Sequence, residues 1–190
     1  TPYALIVAPT RELVLQISKD AIALTKFTDI KVASLVGGMD YEKQRSLLRR
    51  PVDIVVATPG RLLDFARSGT IDLRQVEILI LDEADRMLSM GFIPDVKAIV
   101  ARTPRKQNRQ TQLFSATYSE DIKRLAASWT LEPVRIEIAP EQVAVDTVDQ
   151  RVFLTSEEEK YTVLYNLIET YELDRVLIFV NRRDESRELE

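Results

Sequence analysis

Ile78-Leu79-Ile80-Leu81-Asp82-Glu83-Ala84-Asp85 decides how the rest of the chain is read. Four aliphatic residues without polar alternation suit a strand covered on both faces, as in a parallel sheet. Acids then follow at Asp82, Glu83 and Asp85. In an open parallel sheet, ligands bind at the carboxyl ends of the strands. A strand that delivers adjacent carboxylates to that edge suits metal-assisted phosphoryl transfer, one acid holding Mg2+ and the next orienting a water. A plain strand end running into a solvated turn has the same residues, so the neighbouring segments must decide.

Comparable apolar runs lie at residues 4–8, 32–36, 53–57 and 112–114, and a sixth fits 134–138. Helical patterns alternate with them. Leu13, Ile17, Ala21 and Leu24 share one helix face, as do Ile122, Leu125, Ala126 and Trp129 behind a Ser119 N-cap. Such alternation predicts an α/β domain over residues 1–138. Residues 139–149 hold a proline, several acids and no basic residue, and read as a linker. A second unit starts at 150, with a strand at 151–154, a helix from Ser156 and a strand at 176–180. Ser156 and Glu159 form a capping-box pair, and Tyr161, Leu164, Tyr165 and Ile168 give that helix its apolar face. Another helix is expected from Arg183. Residues 150–190 are too few for a whole α/β domain, so this unit reads as truncated.

Composition narrows the chemistry. The chain has 190 residues, 45% hydrophobic and 29% charged, which is the balance of a globular protein. Its formal charge of −4 excludes a wholly basic surface, so a nucleic-acid site has to be a local groove. With no cysteine and no histidine, disulfides, thiolate metal sites and imidazole bases are excluded. What remains is carboxylates, hydroxyls, arginines and a hard cation such as Mg2+. No apolar run reaches the roughly 18 residues of a membrane span. No membrane association and a cytoplasmic location are expected.

Three loops at strand ends carry phosphate-binding features. Pro9-Thr10-Arg11-Glu12 follows the first run, with Thr10 as N-cap. Thr58-Pro59-Gly60-Arg61 follows the third, Thr58 capping and Pro59 at the first helical position. Gly37-Gly38 follows the second, where bare backbone allows close approach. Helix N-termini and the guanidinium groups of Arg11 and Arg61 suit phosphate oxygens. Each loop alone is an ordinary cap or turn; together they suggest a track for a nucleic-acid backbone. Ser115-Ala116-Thr117 follows the fifth run, and its hydroxyls can hydrogen-bond a neighbouring strand-end carboxylate. The basic loop Arg102, Arg105, Lys106 and Arg109 reads as a solvated surface, and Trp129 as core.

In order, these segments resemble the DEAD-box RNA helicase family. Motif Ia matches Ala8-Pro9-Thr10-Arg11-Glu12-Leu13, the double glycine Gly37-Gly38, and motif Ib Thr58-Pro59-Gly60-Arg61. Motif II matches Asp82-Glu83-Ala84-Asp85, motif III Ser115-Ala116-Thr117, and motif IV Leu177-Ile178-Phe179-Val180-Asn181. Gly37-Gly38-Met39-Asp40 and Arg86-Met87-Leu88-Ser89-Met90-Gly91-Phe92 resemble the bacterial branch, of the kind found in the RNA degradosome.

The resemblance implies a RecA-like parallel sheet flanked by helices and the beginning of a second RecA-like domain. It implies ATP and Mg2+ as cofactors. RNA is the implied partner, bound with little sequence preference, within an RNA-processing complex. Asp82 would serve the Mg2+ through water, and Glu83 would position the hydrolytic water. Asp85, Ser115 and Thr117 would couple the nucleotide site to the domain interface. Thr10, Arg11, Gly38, Thr58 and Arg61 would lie along RNA. Arg182 departs from the pattern, since many relatives carry threonine there.

Two other readings compete: another P-loop ATPase, and a non-catalytic RNA-binding or scaffold module. The chain has no Gly-x-x-x-x-Gly-Lys-Ser/Thr. The family places that phosphate loop and its adenine-reading motif upstream, and an arginine-bearing motif downstream. Arginine fingers alone contribute about 10³–10⁵ in rate. The isolated 190-residue chain is therefore expected not to hydrolyse ATP, which an RNA-stimulated phosphate-release assay checks directly.

Overall fold

The computed structural model describes residues 1–138, 149 and 151–189. They fall into two compact units, Thr1–Ile136 and Glu137–Glu190.

The first unit alternates strands and helices. Its strands are β1 (Ala4–Val7), β2 (Val32–Leu35), β3 (Ile54–Ala57), β4 (Ile78–Leu81) and β5 (Gln110–Leu113). Its helices are α1 (Arg11–Leu24), α2 (Tyr41–Leu47), α3 (Pro59–Arg67), α4 (Ala84–Ser89), α5 (Ile93–Val100) and α6 (Glu120–Trp129). All strand pairs are parallel, in the order β2-β3-β1-β4-β5. Parallel neighbours require crossover connections, and the intervening helices supply them.

One sheet face carries the main core. Leu5, Val7, Leu35, Val55, Ala57, Leu79 and Leu81 are buried there. Above them pack Leu62, Leu63 and Phe65 of α3, Val96 and Ile99 of α5, and Ile122, Leu125 and Trp129 of α6. The other face is covered by α1 over Ile6, Ile54 and Val56. Ile78 and Ile80 lie on that same face by register but stay half-buried. Full cover on both faces, expected from the continuous apolar runs, therefore holds for only part of the sheet.

Other expectations are corrected. On α1 the expected Leu13 and Ile17 are partly buried and pack beside Val14, but the fully buried positions are Val14 and Ser18, one further on, and Leu24 is 84% exposed. The fifth strand begins two residues earlier than the apolar run, because Gln110 and Thr111 have β4 backbone to pair with. Residues 134–138 form no strand, and Val134, Ile136 and Ile138 lie almost fully exposed. Apolar alternation supplies a suitable face, but a ladder also needs a partner, and none lies alongside among the described residues.

The second unit repeats that lesson. Neither 151–154 nor 176–180 is a strand, for the same want of a partner. The helix expected from Ser156 begins four residues later, as α7 (Lys160–Thr170). Ser156 Oγ donates to Glu159 Oε2 at 3.1 Å, so this pair bonds side chain to side chain and does not cap backbone. None of the expected apolar residues on α7 is buried. A last helix, α8 (Arg183–Glu188), starts where expected. Apart from Asp149, the expected linker at 139–149 lies outside the described residues.

The basic loop serves the fold. Arg109 donates to Thr103 Oγ1 at 2.7 Å, Thr111 Oγ1 at 3.0 Å, Trp129 O at 3.3 Å and the Pro104 carbonyl. Its burial holds its pKa below the usual arginine range. Lys106 donates to Ala127 O at 3.0 Å and Arg102 to Ala98 O at 2.7 Å. The load on the main core is testable at Leu79, which is fully buried in β4. Leu79→Ala is expected to cost about 3 kcal/mol in urea unfolding of the chain.

Candidate functional site

The register lines up the strand ends. Leu35 pairs with Ala57, Ala57 with Val7, Val7 with Leu81, and Leu81 with Leu113. The ladder then continues one step further. Ala8 N donates to Ala57 O at 3.0 Å, Thr58 N to Leu35 O at 2.9 Å, Asp82 N to Val7 O at 2.9 Å and Phe114 N to Leu81 O at 2.8 Å. The residues that follow each strand, and so every candidate site residue of the first unit, emerge along one edge.

At one part of this edge stand the carboxylates. Asp82 Oδ1 accepts from Glu83 N at 2.9 Å, which leaves Oδ2 without a protein partner among the described residues. Glu83 itself has φ 48 and ψ 52, the left-handed region, where a non-glycine residue is uncommon. Such strain persists where the surroundings over-determine it, and it concentrates at functional sites. Ala84 N, donating to Phe114 O at 3.0 Å, fixes the turn from the far side. Glu83 Oε2 is buried with no hydrogen-bond partner; Arg86 Nε stands 3.7 Å away, too far for one. A buried acceptor with an unused lone pair is suited to an incoming donor such as water.

Asp85 is tied to the neighbouring strand end, as the sequence suggested. Its Oδ2 accepts from Thr117 N at 3.0 Å and Thr117 Oγ1 at 3.1 Å, and its Oδ1 from Arg86 N at 3.0 Å. Ser115 Oγ donates to Thr117 O at 2.7 Å, closing the Ser115–Thr117 turn behind this contact. Partial burial works to raise the Asp85 pKa, but the bonds from Thr117 and Arg86 outweigh it and leave the carboxyl below its ordinary range.

Farther along the edge lie the three loops. Thr10 caps α1, its Oγ1 accepting from Leu13 N at 3.3 Å. Thr58 occupies the cap position of α3 but makes no cap bond; Pro59 sits at the first helical turn. The expected Thr58 cap is thus absent, and its hydroxyl stays available. Gly38 has φ +71, so the turn calls for glycine there, although a Cβ would find room. Arg11 Nη1 lies 3.8 Å from where a Gly38 Cβ would stand. Arg61 Nη1 donates to Met39 O at 3.3 Å, and its guanidinium lies over the Tyr41 ring at 5.2 Å and the Phe65 ring at 5.8 Å. Arg11 and Arg61 therefore both meet the double-glycine loop. No hydrogen bond or ion pair among the described residues joins these loops to Asp82, Glu83 or Asp85.

Sequence reasoning missed Tyr41, Gln44 and Arg86. Tyr41 stacks beside Phe65 with ring centroids 4.6 Å apart. Arg86 is within reach of Glu83 by helical spacing, a signal the sequence does contain.

Residues 1–125 match the DEAD/DEAH box helicase family model. The chain is 55% identical over all its length to the ATP-dependent RNA helicase RhlB of Pseudomonas aeruginosa, covering 48% of that protein. It is 43% identical over 182 residues to the protein of the same name from Shewanella baltica, covering 42% of it. The chain thus spans about half the length of the curated relatives it matches. Among solved structures, the yeast DEAD-box splicing factor Prp28 superposes with a TM-score of 0.67 at 34% identity, over 99% of this chain and 44% of that one. A hypothetical ATP-dependent RNA helicase from Sulfolobus tokodaii does so with a TM-score of 0.62 at 46% identity, over 67% of this chain and 38% of that one.

The Asp85 contact sets a pH dependence. A carboxyl with a lowered folded pKa adds stability above its unfolded pKa and loses it as pH falls through the folded value. The stability gap between the native chain and Asp85→Asn is therefore expected to be widest near neutrality and to close below about pH 4. Urea unfolding of both at neutral and acid pH measures it; a gap independent of pH would sink the assignment.

Proposed function

This chain belongs to the DEAD/DEAH box helicase family, and from that premise we propose that the whole protein couples Mg-ATP binding and hydrolysis to RNA binding and local unwinding of RNA duplexes. The observation that carries the reading is Glu83, held in a left-handed backbone with one buried carboxylate oxygen that makes no hydrogen bond and pairs only with Arg86 at 3.7 Å, next in sequence to Asp82, whose Oδ2 makes none among the described residues.

The donor set fits Mg2+. No cluster of three acids able to cage an ion occurs among the described residues. Mg2+ does not need one: it retains several waters and takes one or two carboxylates together with substrate phosphates. Asp82 would hold it, through water, and bound Mg2+ would neutralise charge on the phosphates. Glu83 accepts a hydrogen bond from the attacking water and orients it, with Oε2 as the available acceptor. Asp85 and Thr117, with Ser115 behind them, form a polar link between two strand ends. Its role is to pass the nucleotide state towards the second unit; no atom of it is needed for the chemistry.

Thr10, Arg11, Gly38, Thr58 and Arg61 lie along the RNA backbone. Contacts of this kind position the strand and carry no sequence information. The other P-loop ATPases are disfavoured by the convergence of Arg11 and Arg61 on one glycine loop. No helix is long and apolar enough to cross a membrane among the described residues. A cytoplasmic setting within an RNA-processing complex is consistent with the cysteine-free sequence and the RNA helicase relatives.

Glu83→Gln in the full-length protein is the decisive test. Gln keeps the size but is a poor acceptor for activating water. ATP binding is expected to stay within about twofold while RNA-stimulated turnover falls by at least about 100-fold. Asp82→Asn is expected to weaken Mg2+-dependent nucleotide binding as well. Near-native hydrolysis by the Glu83→Gln protein, or equal stimulation of the native enzyme by DNA and RNA, would overturn the reading.

A further inference from the structure

Gln44 is only 5% exposed, although glutamine is mostly found at surfaces. Its amide is saturated by backbone. Oε1 accepts from Val36 N at 2.8 Å. Nε2 donates to Val36 O at 3.1 Å, Asp40 O at 3.2 Å and Met39 O at 3.4 Å, its two hydrogens shared among three carbonyls. The side chain thus grips both ends of the loop that holds Gly37 and Gly38. Gln44 is itself anchored on the first turn of α2, where Asp40 accepts from Lys43 N at 3.0 Å. The Met39 carbonyl it reaches is the one that Arg61 also binds.

We propose that Gln44 is a positioning residue for RNA binding: it fixes the double-glycine turn and the Met39 carbonyl that seats Arg61, and does not touch RNA itself. The proposal rests on the backbone-track reading above. Two adjacent glycines have wide conformational freedom, and nothing lies within 4 Å of a Cβ at Gly37. Without the amide, RNA would have to order the loop on binding, and that ordering weakens affinity. Tyr41, on the same turn, holds Arg61 from its other side by stacking, so loop and guanidinium are set by one helical turn.

The test uses the full-length protein with Gln44→Met and Gln44→Glu, alongside Arg11→Ala and Arg61→Ala. Met matches the length without hydrogen bonds. Glu keeps the acceptor for Val36 N but sets a negative charge against three carbonyls. A short oligouridylate and a short oligoadenylate serve as probes. Both Gln44 variants are expected to raise the KM for either RNA by about tenfold, with kcat at saturating RNA and the KM for ATP unchanged. Amide exchange at Gly37 and Gly38 is expected to speed up, with the melting midpoint kept. If the arginine variants weaken RNA binding and the Gln44 variants do not, the proposal falls and the track stands. If the arginine variants have no effect, the track reading itself falls, and the proposal with it. A collapse of the melting midpoint in both Gln44 variants, or a fall in kcat alone, would make Gln44 a residue of the fold and end the proposal.

Discussion

Everything at the site depends on the in-register parallel ladder. Because Leu35, Ala57, Val7, Leu81 and Leu113 are mutual partners across five strands, the chain leaves the sheet at the same level five times. A shift of one residue in any strand would turn its side chains to the other face and move its exit loop out of line. The burial of Leu5, Val7, Leu79 and Leu81 against α3, α5 and α6 is what forbids that shift. The core therefore fixes where the chemistry sits as well as how stable the domain is. The candidate acids need no rigid loop of their own: Asp82 still makes a ladder bond, its N–H donating to Val7 O at 2.9 Å, and Glu83 follows it directly.

Two kinds of contact then divide the edge between them. Near β4 and β5 the contacts are polar and few, with Thr117 reaching Asp85 and one Glu83 oxygen left without a hydrogen bond. Near β1, β2 and β3 a buried amide, a stacked guanidinium and a left-handed glycine shape the backbone itself. The first arrangement leaves groups open to react, and the second leaves surfaces set to grip. Among the described residues no side-chain hydrogen bond or ion pair connects the two; the backbone ladder does, as where Asp82 N donates to Val7 O at 2.9 Å.

Much of this was legible in the sequence, and the reasons for success and failure are physical. Strands β1 to β4 were readable because aliphatic runs ending in Thr, Gly or Asp signal both burial and an exit. Asp85 with Thr117 was readable because adjacent parallel strands bring their ends together. The strands expected at 134–138, 151–154 and 176–180 were not borne out, since a sequence pattern specifies a face but not the presence of a partner. The Thr58 cap failed because occupying a cap position does not oblige the hydroxyl to bond there. Gln44 could not have been found, because nothing in its neighbours marks a glutamine on a short helix as buried. The left-handed backbone at Glu83 was equally silent, since glutamate is not a residue that advertises that conformation.

That conformation has a consequence for how the protein can change. At Glu83 the backbone is held where an L side chain is disfavoured by roughly 1 kcal/mol or more, so glycine at this position relieves strain and removes the carboxylate in one step. Selection or engineering for thermal tolerance alone thus has a downhill path at this position. With the role proposed for Glu83, a library screened only for survival at high temperature would drift towards proteins that are sturdier and less active.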